Sequence, residues 1–556
     1  MNKIFMLVTA CLLTGIAAFS QDSKKSKEAV PDNWYQLDPK ETGYRGISLQ
    51  KAHAYLKSTK LKSNRVVVAV IDSGIDTTHE DLKPVLWVNE KEIPGNGIDD
   101  DRNGYVDDVH GWNFIGGKDG RNVKEDSYEA SRVYHQLKGK WDGKEVDEAS
   151  LSAADKKEYQ SFLKAKTKTT EGVNEQELAF MRQVRPGFLK GDSIIRKELG
   201  KEEYNCNDLK SYRSSDKDAT ITKSILMSIC NGNGNMDISN QMMLDDLNAQ
   251  IRKGDEASAP PTAYRADIVK DNEADINDRF YGNNDLMAST PFHGSFCAGI
   301  IAAARGNNEK LDGIADNVRI MAIRAVPDGD EHDKDVALAI KYAVDNGAKV
   351  INMSFGKDFS PQKKWVDDAF RYAESKGVLL VHAAGNDNKD IDTEDNFPSA
   401  QFENGGRAGN IITVGASGDE KNGGLTASFS NYGKKEVDVF APGVQIYSTT
   451  PNNNSYGKSQ GTSFAAPIVA GVAALLLQYY PALTPAQLKL AIEKSTPATK
   501  ELVNRPGTGE KVSMNELCRA GGIVNAYEAA KYAGSIKTKK EKIKLPKTKI
   551  RKEKKG

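Results

Sequence analysis

The amino-acid sequence predicts an α/β fold, a mostly parallel, doubly wound β-sheet with helices on both faces. Short apolar runs alternate with helical segments along much of the chain, as expected for strands that are buried on both faces of a sheet. Residues 463–479 are apolar on every side, which predicts a central buried helix that tolerates Pro467 in its first turn. With 28% charged residues and a mean hydropathy of −0.57, the composition excludes collagen, disulfide-dense miniproteins and polytopic membrane proteins.

The same patterns place the individual elements in chain order. Strands are predicted at residues 66–72, 319–325, 349–354, 378–383, 410–414 and 437–441. Helices are predicted at residues 333–346, 361–376, 463–479 and 484–493. Between residues 116 and 280 the alternation gives way to a Lys- and Glu-rich stretch with helical periodicity. We therefore predict a mainly helical insertion (116–280) within one domain made of residues 33–115 and 281–534.

The N-terminus has the pattern of an export signal. Lys3 precedes an apolar run over residues 4–19, which is short for a bilayer span. Small residues before the polar segment suit cleavage near Ser20. This predicts a signal peptide (1–20), a polar linker (21–32) and a periplasmic, cell-surface or extracellular protein with no transmembrane helix in its mature chain. Lipidation at Cys11 is the alternative that the sequence favours less, because the apolar run continues beyond it.

The charge is unevenly distributed, although 77 basic residues balance 77 acidic residues. Residues 535–556 hold 11 Lys or Arg against Glu541 and Glu553, so a basic tail offsets an acidic body. A segment with so few apolar residues is typical of a solvated, disordered tail. Docking to an anionic envelope polymer or membrane surface is the alternative. The absence of aromatic residues within the Lys run argues against nucleic acid.

Export would allow the remaining cysteines to form disulfides. Cys206 and Cys230 are close in the chain and form the favoured pair. Their spacing fits no zinc site, and none of the seven His belongs to a His-Glu-x-x-His pair. The sequence therefore gives no support for a catalytic metal or an organic cofactor.

Three polar residues lie where a predicted strand or loop meets a helix. Asp72 ends the first apolar strand, His293 opens a small-residue segment, and Ser463 begins the apolar helix. Taken singly, a strand-end Asp, a capping His and an N-cap Ser are ordinary structural residues. Together they have the chemical types of an acyl-transfer triad.

The residues around them resemble the subtilisin-like serine protease family. Gly-Thr-Ser-Phe-Ala-Ala-Pro surrounds Ser463, Asp-Ser-Gly-Ile-Asp begins at Asp72, and His-Gly-Ser-Phe-Cys-Ala-Gly begins at His293. A fourth segment, Ala-Ala-Gly-Asn-Asp ending at Asp387, is similar to the oxyanion segment of the family. The order Asp, His, Ser is the one documented for subtilisin. The resemblance implies the doubly wound fold and an exported serine endopeptidase that acts on proteins or peptides.

The resemblance also implies a role for each residue. Ser463 would be the nucleophile, His293 the general base and then the acid, and Asp72 the group that orients His293. The side-chain amide of Asn386 and the backbone N–H of Ser463 would donate to the oxyanion. The peptide and its primary specificity pocket would be flanked by Ser354, Phe355, Gly356, Ala383, Ala384 and Gly385.

The chain also departs from the family pattern. The usual His-Gly-Thr-His-Val reads His-Gly-Ser-Phe-Cys, so we expect altered packing behind an intact base. Cys297 is interpreted as a small buried residue, with a reactive thiol as the alternative. The insertion separates Asp72 from His293 by 221 positions. Since its return leads directly into the His293 motif, we hypothesise that it limits access to the cleft.

An acidic loop follows the first strand. Oxygen-bearing residues stand at loop positions one, three, five, seven and nine, with Gly at position six, as in the front half of a calcium loop. These are Asp99, Asp101, Asn103, Tyr105 and Asp107. The Glu expected at position twelve is absent, because His110 stands there. The sequence favours structural Ca²⁺, and an Asx-rich turn without metal is the alternative.

A rival function of another class remains open. A latent or non-catalytic scaffold on the same fold would bind peptides or envelope polymer through its cleft and tail. The intact triad and oxyanion residues favour the protease.

Overall fold

The structure is a computed structural model that describes residues 30–536, except for short gaps. These are residues 171–173, 202–203, 234–235, 237, 289–290, 308–310, 422–423, 452–453 and 498–500. The predicted signal peptide, Cys11 and nearly all of the predicted basic tail (residues 537–556) lie outside the described residues.

The described strands form one large sheet and two small ones. They are β1 (Val66–Asp72), β2 (Gly111–Asn113), β3 (Val318–Arg324), β4 (Val350–Met353), β5 (Leu379–Ala383), β6 (Ile411–Ser417), β7 (Val439–Pro442), β8 (Ile446–Thr450), β9 (Ser455–Ser459), β10 (Val503–Asn504) and β11 (Lys511–Val512). The seven-stranded sheet has the order β2-β3-β1-β4-β5-β6-β7, and all its pairings are parallel. The strand order reverses beside β1, where α/β sheets place ligands at the carboxyl ends of their strands.

Helices cover both faces of this sheet and fill the insertion. They are α1 (Pro39–Thr42), α2 (Leu49–Ser58), α3 (Glu129–Trp141), α4 (Ala153–Thr170), α5 (Glu175–Leu199), α6 (Cys206–Leu209), α7 (Lys217–Asn233), α8 (Asn240–Ser258), α9 (Tyr264–Ile268), α10 (Phe292–Ala302), α11 (Asp333–Asp345), α12 (Lys363–Ser375), α13 (Thr462–Tyr479), α14 (Pro485–Glu493) and α15 (Ala526–Ser535). Three-residue 3₁₀ turns occur at Trp34–Gln36, Lys83–Val85 and Met514–Glu516.

Alternate side chains of β1 pack against different helices. Val68 and Val70 belong to the apolar cluster that contains α10 and α13, whereas Ala69 and Ile71 belong to the cluster that contains α11 and α12. The predicted doubly wound α/β architecture is therefore confirmed. The six predicted strands and four predicted helices are all present, with ends that differ by at most a few residues.

Helix α13 is the central buried helix that the sequence predicts. Among the described residues it is the helix long and apolar enough to cross a membrane, yet 94% of it is buried inside the protein. Its neighbours are the sheet and α10. Its composition therefore reflects a core position, and its first turn carries Ser463.

Residues 116–280 contain helices α3 to α9. Helices α5, α7 and α8 enclose a separate apolar cluster that includes Phe188, Leu226 and Leu244. A disulfide joins Cys206 to Cys230 beside that cluster, as the sequence predicts. The side chains of α4 also reach the sheet domain, where Lys157 pairs with Glu403. The insertion thus has its own core and ion-pair contact with the rest of the chain.

Candidate active site

Asp72 is held at the carboxyl end of the central strand. Its side chain is 3% exposed, and its Oδ1 accepts a hydrogen bond from the backbone N–H of Ser73. Gly74 and Gly294 allow the close approach of the next element: a Cβ on Gly294 would lie 2.1 Å from the carbonyl oxygen of Gly74. Gly74 also has φ +119°, which disfavours other residues. This contact brings the first turn of α10 against Asp72.

His293 is the second residue of α10 and faces Asp72. Its Nδ1 lies 2.8 Å from Oδ1 and 3.0 Å from Oδ2 of Asp72. Burial lowers the pKa of His293, but the charge and hydrogen bond of Asp72 outweigh that effect, so the pKa is raised above its ordinary value of 6.5. About a third of the ring is exposed, and Nε2 is the nitrogen left for other chemistry.

Ser463 is the second residue of α13 and lies beside α10. The thiol of Cys297 donates to the carbonyl oxygen of Ser463 at 3.4 Å, and the rings of Phe296 and Phe464 pack 4.4 Å apart. The His293 ring lies 5.3 Å from that of Phe464, measured between centroids. These contacts place the first turns of the two helices next to each other.

The Ser463 hydroxyl donates to the carbonyl oxygen of Ser354 at 3.1 Å. Within the described residues, His293 and Ser463 share no hydrogen bond. Catalytic hydrogen bonds are often unmade in an enzyme without substrate.

Asn386 follows β5 and is exposed. Its Oδ1 accepts from the backbone N–H of Thr462 at 2.9 Å and from the Thr462 hydroxyl at 3.0 Å. The Thr462 hydroxyl in turn accepts from the backbone N–H of Gly385 at 3.0 Å. Because both hydrogen bonds are accepted by Oδ1, the amide NH₂ of Asn386 remains available to donate a hydrogen bond to a ligand. The sequence did not single out Thr462, although it directly precedes Ser463 and holds Asn386 through two hydrogen bonds.

The two predicted substrate-binding segments follow β4 and β5. Phe355, Gly356, Ala383 and Gly385 line a cavity of about 540 Å³ together with Asn386 and Ser463. Ser354 and Ala384 are buried and do not line it. The Ser354 hydroxyl supports the site from behind, because it donates to the carbonyl oxygen of Ser463 at 2.7 Å.

The insertion forms the far wall of this cavity. Its contributing helices are α3, α4, α5 and α8, which supply Ser131, Lys168, Glu177 and Lys253 among other residues. The sequence predicted that the insertion rejoins the peptidase domain beside His293. The structure additionally brings insertion helices to the opposite, Ser463 side of the site. The hydrophobic periodicity of these helices did not predict this placement. It indicates which face of a helix is apolar, but not which element that face packs against.

Cys297 lies close to Asp72 and Ser463 but is buried. Burial and the nearby charge of Asp72 raise the pKa of the Cys297 thiol well above its ordinary value. A thiol that resists ionisation is a poor nucleophile. The structure thus supports the interpretation of Cys297 as a small buried residue.

The acidic loop brings together only some of the predicted ligands. Carboxylate oxygens of Asp99 and Asp101 lie within 4.8 Å of one another and of an oxygen of Glu92. Glu92 was not predicted, since it lies outside the repeating loop pattern. Asp107 turns away, and its carboxylate accepts from the backbone N–H groups of Gly95 and Gly97.

The other two predicted ligands have structural partners. The backbone N–H of Asn103 donates to Asp99 and Asp101, while its side chain donates to Asp108 at 3.0 Å. The Tyr105 ring is buried in an aromatic cluster and packs 5.1 Å from the Trp112 ring, measured between centroids. Three clustered carboxylates fit a hard, oxygen-seeking cation such as Ca²⁺.

Comparisons with known proteins agree with this geometry. The model of the family described as the subtilase family matches residues 63–513. The thermophilic serine proteinase of Bacillus sp. (strain AK1) is 38% identical over 241 residues, which are 43% of this chain and 52% of that protein. Thermitase of Thermoactinomyces vulgaris is 35% identical over 271 residues, which are 48% of this chain and 86% of that protein.

An extracellular protease of Xanthomonas campestris pv. campestris is 32% identical over 306 residues, 51% of this chain and 48% of that protein. This chain therefore spans about half the length of the Bacillus and Xanthomonas proteins. A solved structure described as proteases from Pseudoalteromonas arctica PAMC 21717 shows 20% identity and a TM-score of 0.46, covering 90% of this chain and 97% of that one.

Proposed function

Since this chain belongs to the subtilase family of serine endopeptidases, we propose that it hydrolyses peptide bonds through an acyl-enzyme on Ser463. The observation that carries the proposal is the pairing of His293 with Asp72 at 2.8 Å, on a helix whose first turn lies against that of Ser463. The peptidase unit is assigned to residues 33–115 and 281–534.

In the proposed reaction, His293 Nε2 removes the Ser463 proton as the hydroxyl attacks the scissile carbonyl carbon. The same proton then passes to the leaving amine, and water repeats the sequence on the acyl-enzyme. Asp72 keeps the His293 proton on Nδ1 and stabilises the imidazolium. Each of these roles agrees with the raised pKa of His293.

The oxyanion is stabilised by two donors. The amide NH₂ of Asn386 and the backbone N–H of Ser463 would donate to the carbonyl oxygen as it acquires charge. The N-terminal end of α13 adds its partial positive charge there. A single side-chain donor of this kind contributes roughly 3 to 4 kcal/mol to the transition state.

We propose Ca²⁺ as a structural ligand of the acidic loop. Glu92, Asp99 and Asp101 would hold it, and the ion would offset the repulsion among three carboxylates. No residue of this loop takes part in the proposed reaction. Its contribution is to the stability of the segment that leads from β1 to β2.

We propose that the protein is exported, as the signal-like N-terminus predicts. Relatives named as an extracellular protease and, in Bacillus subtilis, a cell wall-associated protease support this. Cleavage near Ser20, placement in the periplasm, at the cell surface or outside the cell, and envelope contact through the basic tail remain predictions from the sequence. Protein or peptide substrates are proposed with them.

Fluorophosphonate labelling separates the protease from the rival scaffold. We expect the wild-type protein to be labelled and Ser463→Ala to be neither labelled nor active, with turnover reduced on the order of 10⁶-fold. Ser375→Ala is the matched control, because Ser375 lies exposed at the end of α12. Wild-type protein that folds but takes no label would favour the scaffold.

A further inference from the structure

Lys253 lies on α8 of the insertion and lines the same cavity as Ser463 and Asn386. It is half-buried, so its ammonium group has lost part of its hydration. Within the part of the chain that the structure describes, no carboxylate oxygen lies within 4.0 Å of it. A partly desolvated charge without a partner is unfavourable until a ligand supplies one.

The electrostatic surroundings of Lys253 agree with that geometry. Burial lowers the pKa of Lys253, and the nearby charge of Lys168 lowers it further. Asp358 and Asp387 raise it, but less than burial lowers it. Asp387 directly follows the oxyanion residue Asn386. Lys253 thus interacts electrostatically with Asp387, the chain neighbour of Asn386.

The other cations near this wall already have partners. Lys168 pairs with Asp358 at 2.9 Å, and Lys389 bridges Asp358 at 3.1 Å and Asp387 at 3.2 Å. Lys357 is buried and pairs with acidic groups behind the cavity. Among the described residues that line the cavity, Lys253 is therefore the lysine without an ion-pair partner.

The remaining acidic groups of the lining do not neutralise Lys253. Burial raises the pKa of Glu256 to about 7, and its carboxyl accepts from the backbone N–H of Tyr128. Burial likewise raises the pKa of Asp330 to about 6. Glu177 lies on α5, beyond ion-pair distance of Lys253.

We propose that Lys253 binds the carboxylate of a substrate side chain on the acyl side of the scissile bond, so that this cavity selects Asp or Glu. The cavity opens at Ser463 between the segments of Gly356 and Gly385, which on the proposed function flank that side chain. A charge-assisted hydrogen bond in a partly desolvated pocket discriminates against both neutral and basic side chains. The proposal rests on the proposed protease activity and adds a specificity residue from the insertion.

The test uses the full chain and internally quenched peptides that differ only in the residue before the scissile bond: Glu, Gln, Leu or Lys. We expect the wild-type kcat/KM for Glu to exceed that for its isostere Gln by about tenfold, the discrimination of one charged hydrogen bond. Lys253→Met should bring the ratio near one, and Lys253→Glu should favour the Lys peptide. Lys156→Met, an exposed lysine on α4, should leave the ratio unchanged.

Two failures are distinguishable. Equal wild-type rates for the Glu and Gln peptides, with fluorophosphonate labelling intact, would overturn the specificity proposal alone. Absence of labelling and of hydrolysis for every peptide would overturn the protease function itself. The wild-type ratio needs no variant, so a Lys253 variant that fails to fold does not remove the test.

Discussion

Thr462 offers the sharpest test of how the oxyanion donor is positioned. Thr462→Val keeps the volume of this buried side chain but removes its hydroxyl. Two hydrogen bonds disappear, one to Asn386 Oδ1 and one from the backbone N–H of Gly385. The backbone N–H of Thr462 still donates to Asn386, so the amide is loosened and not released.

The size of the effect follows from those contacts. Loss of the Asn386 donor itself would cost roughly 10² to 10³ in kcat. Because one of its two anchors remains, we expect Thr462→Val to lower kcat by about tenfold to a hundredfold, with little change in KM. Leaving the Gly385 N–H without its partner should cost about 1–3 kcal/mol of stability.

Peptide hydrolysis at saturating and at limiting substrate concentrations gives kcat and kcat/KM. Urea unfolding gives the free energy of unfolding. Thr426→Val is the matched control, since Thr426 is also buried and donates to a backbone carbonyl, that of Asn504, away from the cavity. It should lose similar stability and keep its kcat. An unchanged kcat in Thr462→Val, beside a reduced kcat in Asn386→Ala, would refute the positioning role.

Three further predictions follow from the site and its supports. The raised pKa of His293 means that kcat/KM should fall on acidification with a midpoint above 6.5, because only the neutral ring accepts the Ser463 proton; a midpoint below 6.5 would contradict the Asp72 effect. Removal of Ca²⁺ with a chelator should lower the Tm of the wild type, while Asp101→Asn should lower the starting Tm and shrink that response; a chelator response of equal size in both would argue against this site. Replacement of Cys206 and Cys230 by Ser should destabilise the insertion by roughly 3 to 4 kcal/mol on the loop-entropy estimate, as measured by local hydrogen exchange, and equal exchange rates would show that the disulfide adds nothing.

The sequence predicted those parts of the site that are coded locally. Asp72 and Ser463 stand at the ends of elements with clear apolar patterns, so their positions in the fold were predicted locally. Their assembly with His293 into one site was implied by the resemblance to the subtilisin-like family. The short edge strand β2 and the hairpin of β8 and β9 were not predicted. A strand of three residues, or strands composed largely of polar residues such as Ser448, Thr449 and Thr450 in β8, leave too little apolar periodicity to be predicted.

The rest of the site depends on contacts between distant segments. Lys253 reaches the cavity because α8, which packs against α4 and α5, borders the same cavity as Ser463. No feature of the helix sequence itself reveals this placement. Glu92 joins Asp99 and Asp101 through the path of a loop. Both placements depend on contacts between residues that are far apart in the sequence, and a local sequence pattern carries no information about such contacts.

In the sequence, the insertion separates β1 from β3 and β4, the strands that it pairs with in the sheet. This separation affects how the chain folds. Val66 pairs with Val318, so the central strand cannot acquire its β3 or β4 partner until the chain beyond the insertion is available. Asn113 and Asn283 form a β-bridge across the base of the insertion. Prior folding of the helices between them would shorten the effective loop to about a third and lower its closure entropy by about 1 kcal/mol. If the insertion folds first, the same helices that line the cleft would therefore bring the two halves of the sheet closer together before they pair.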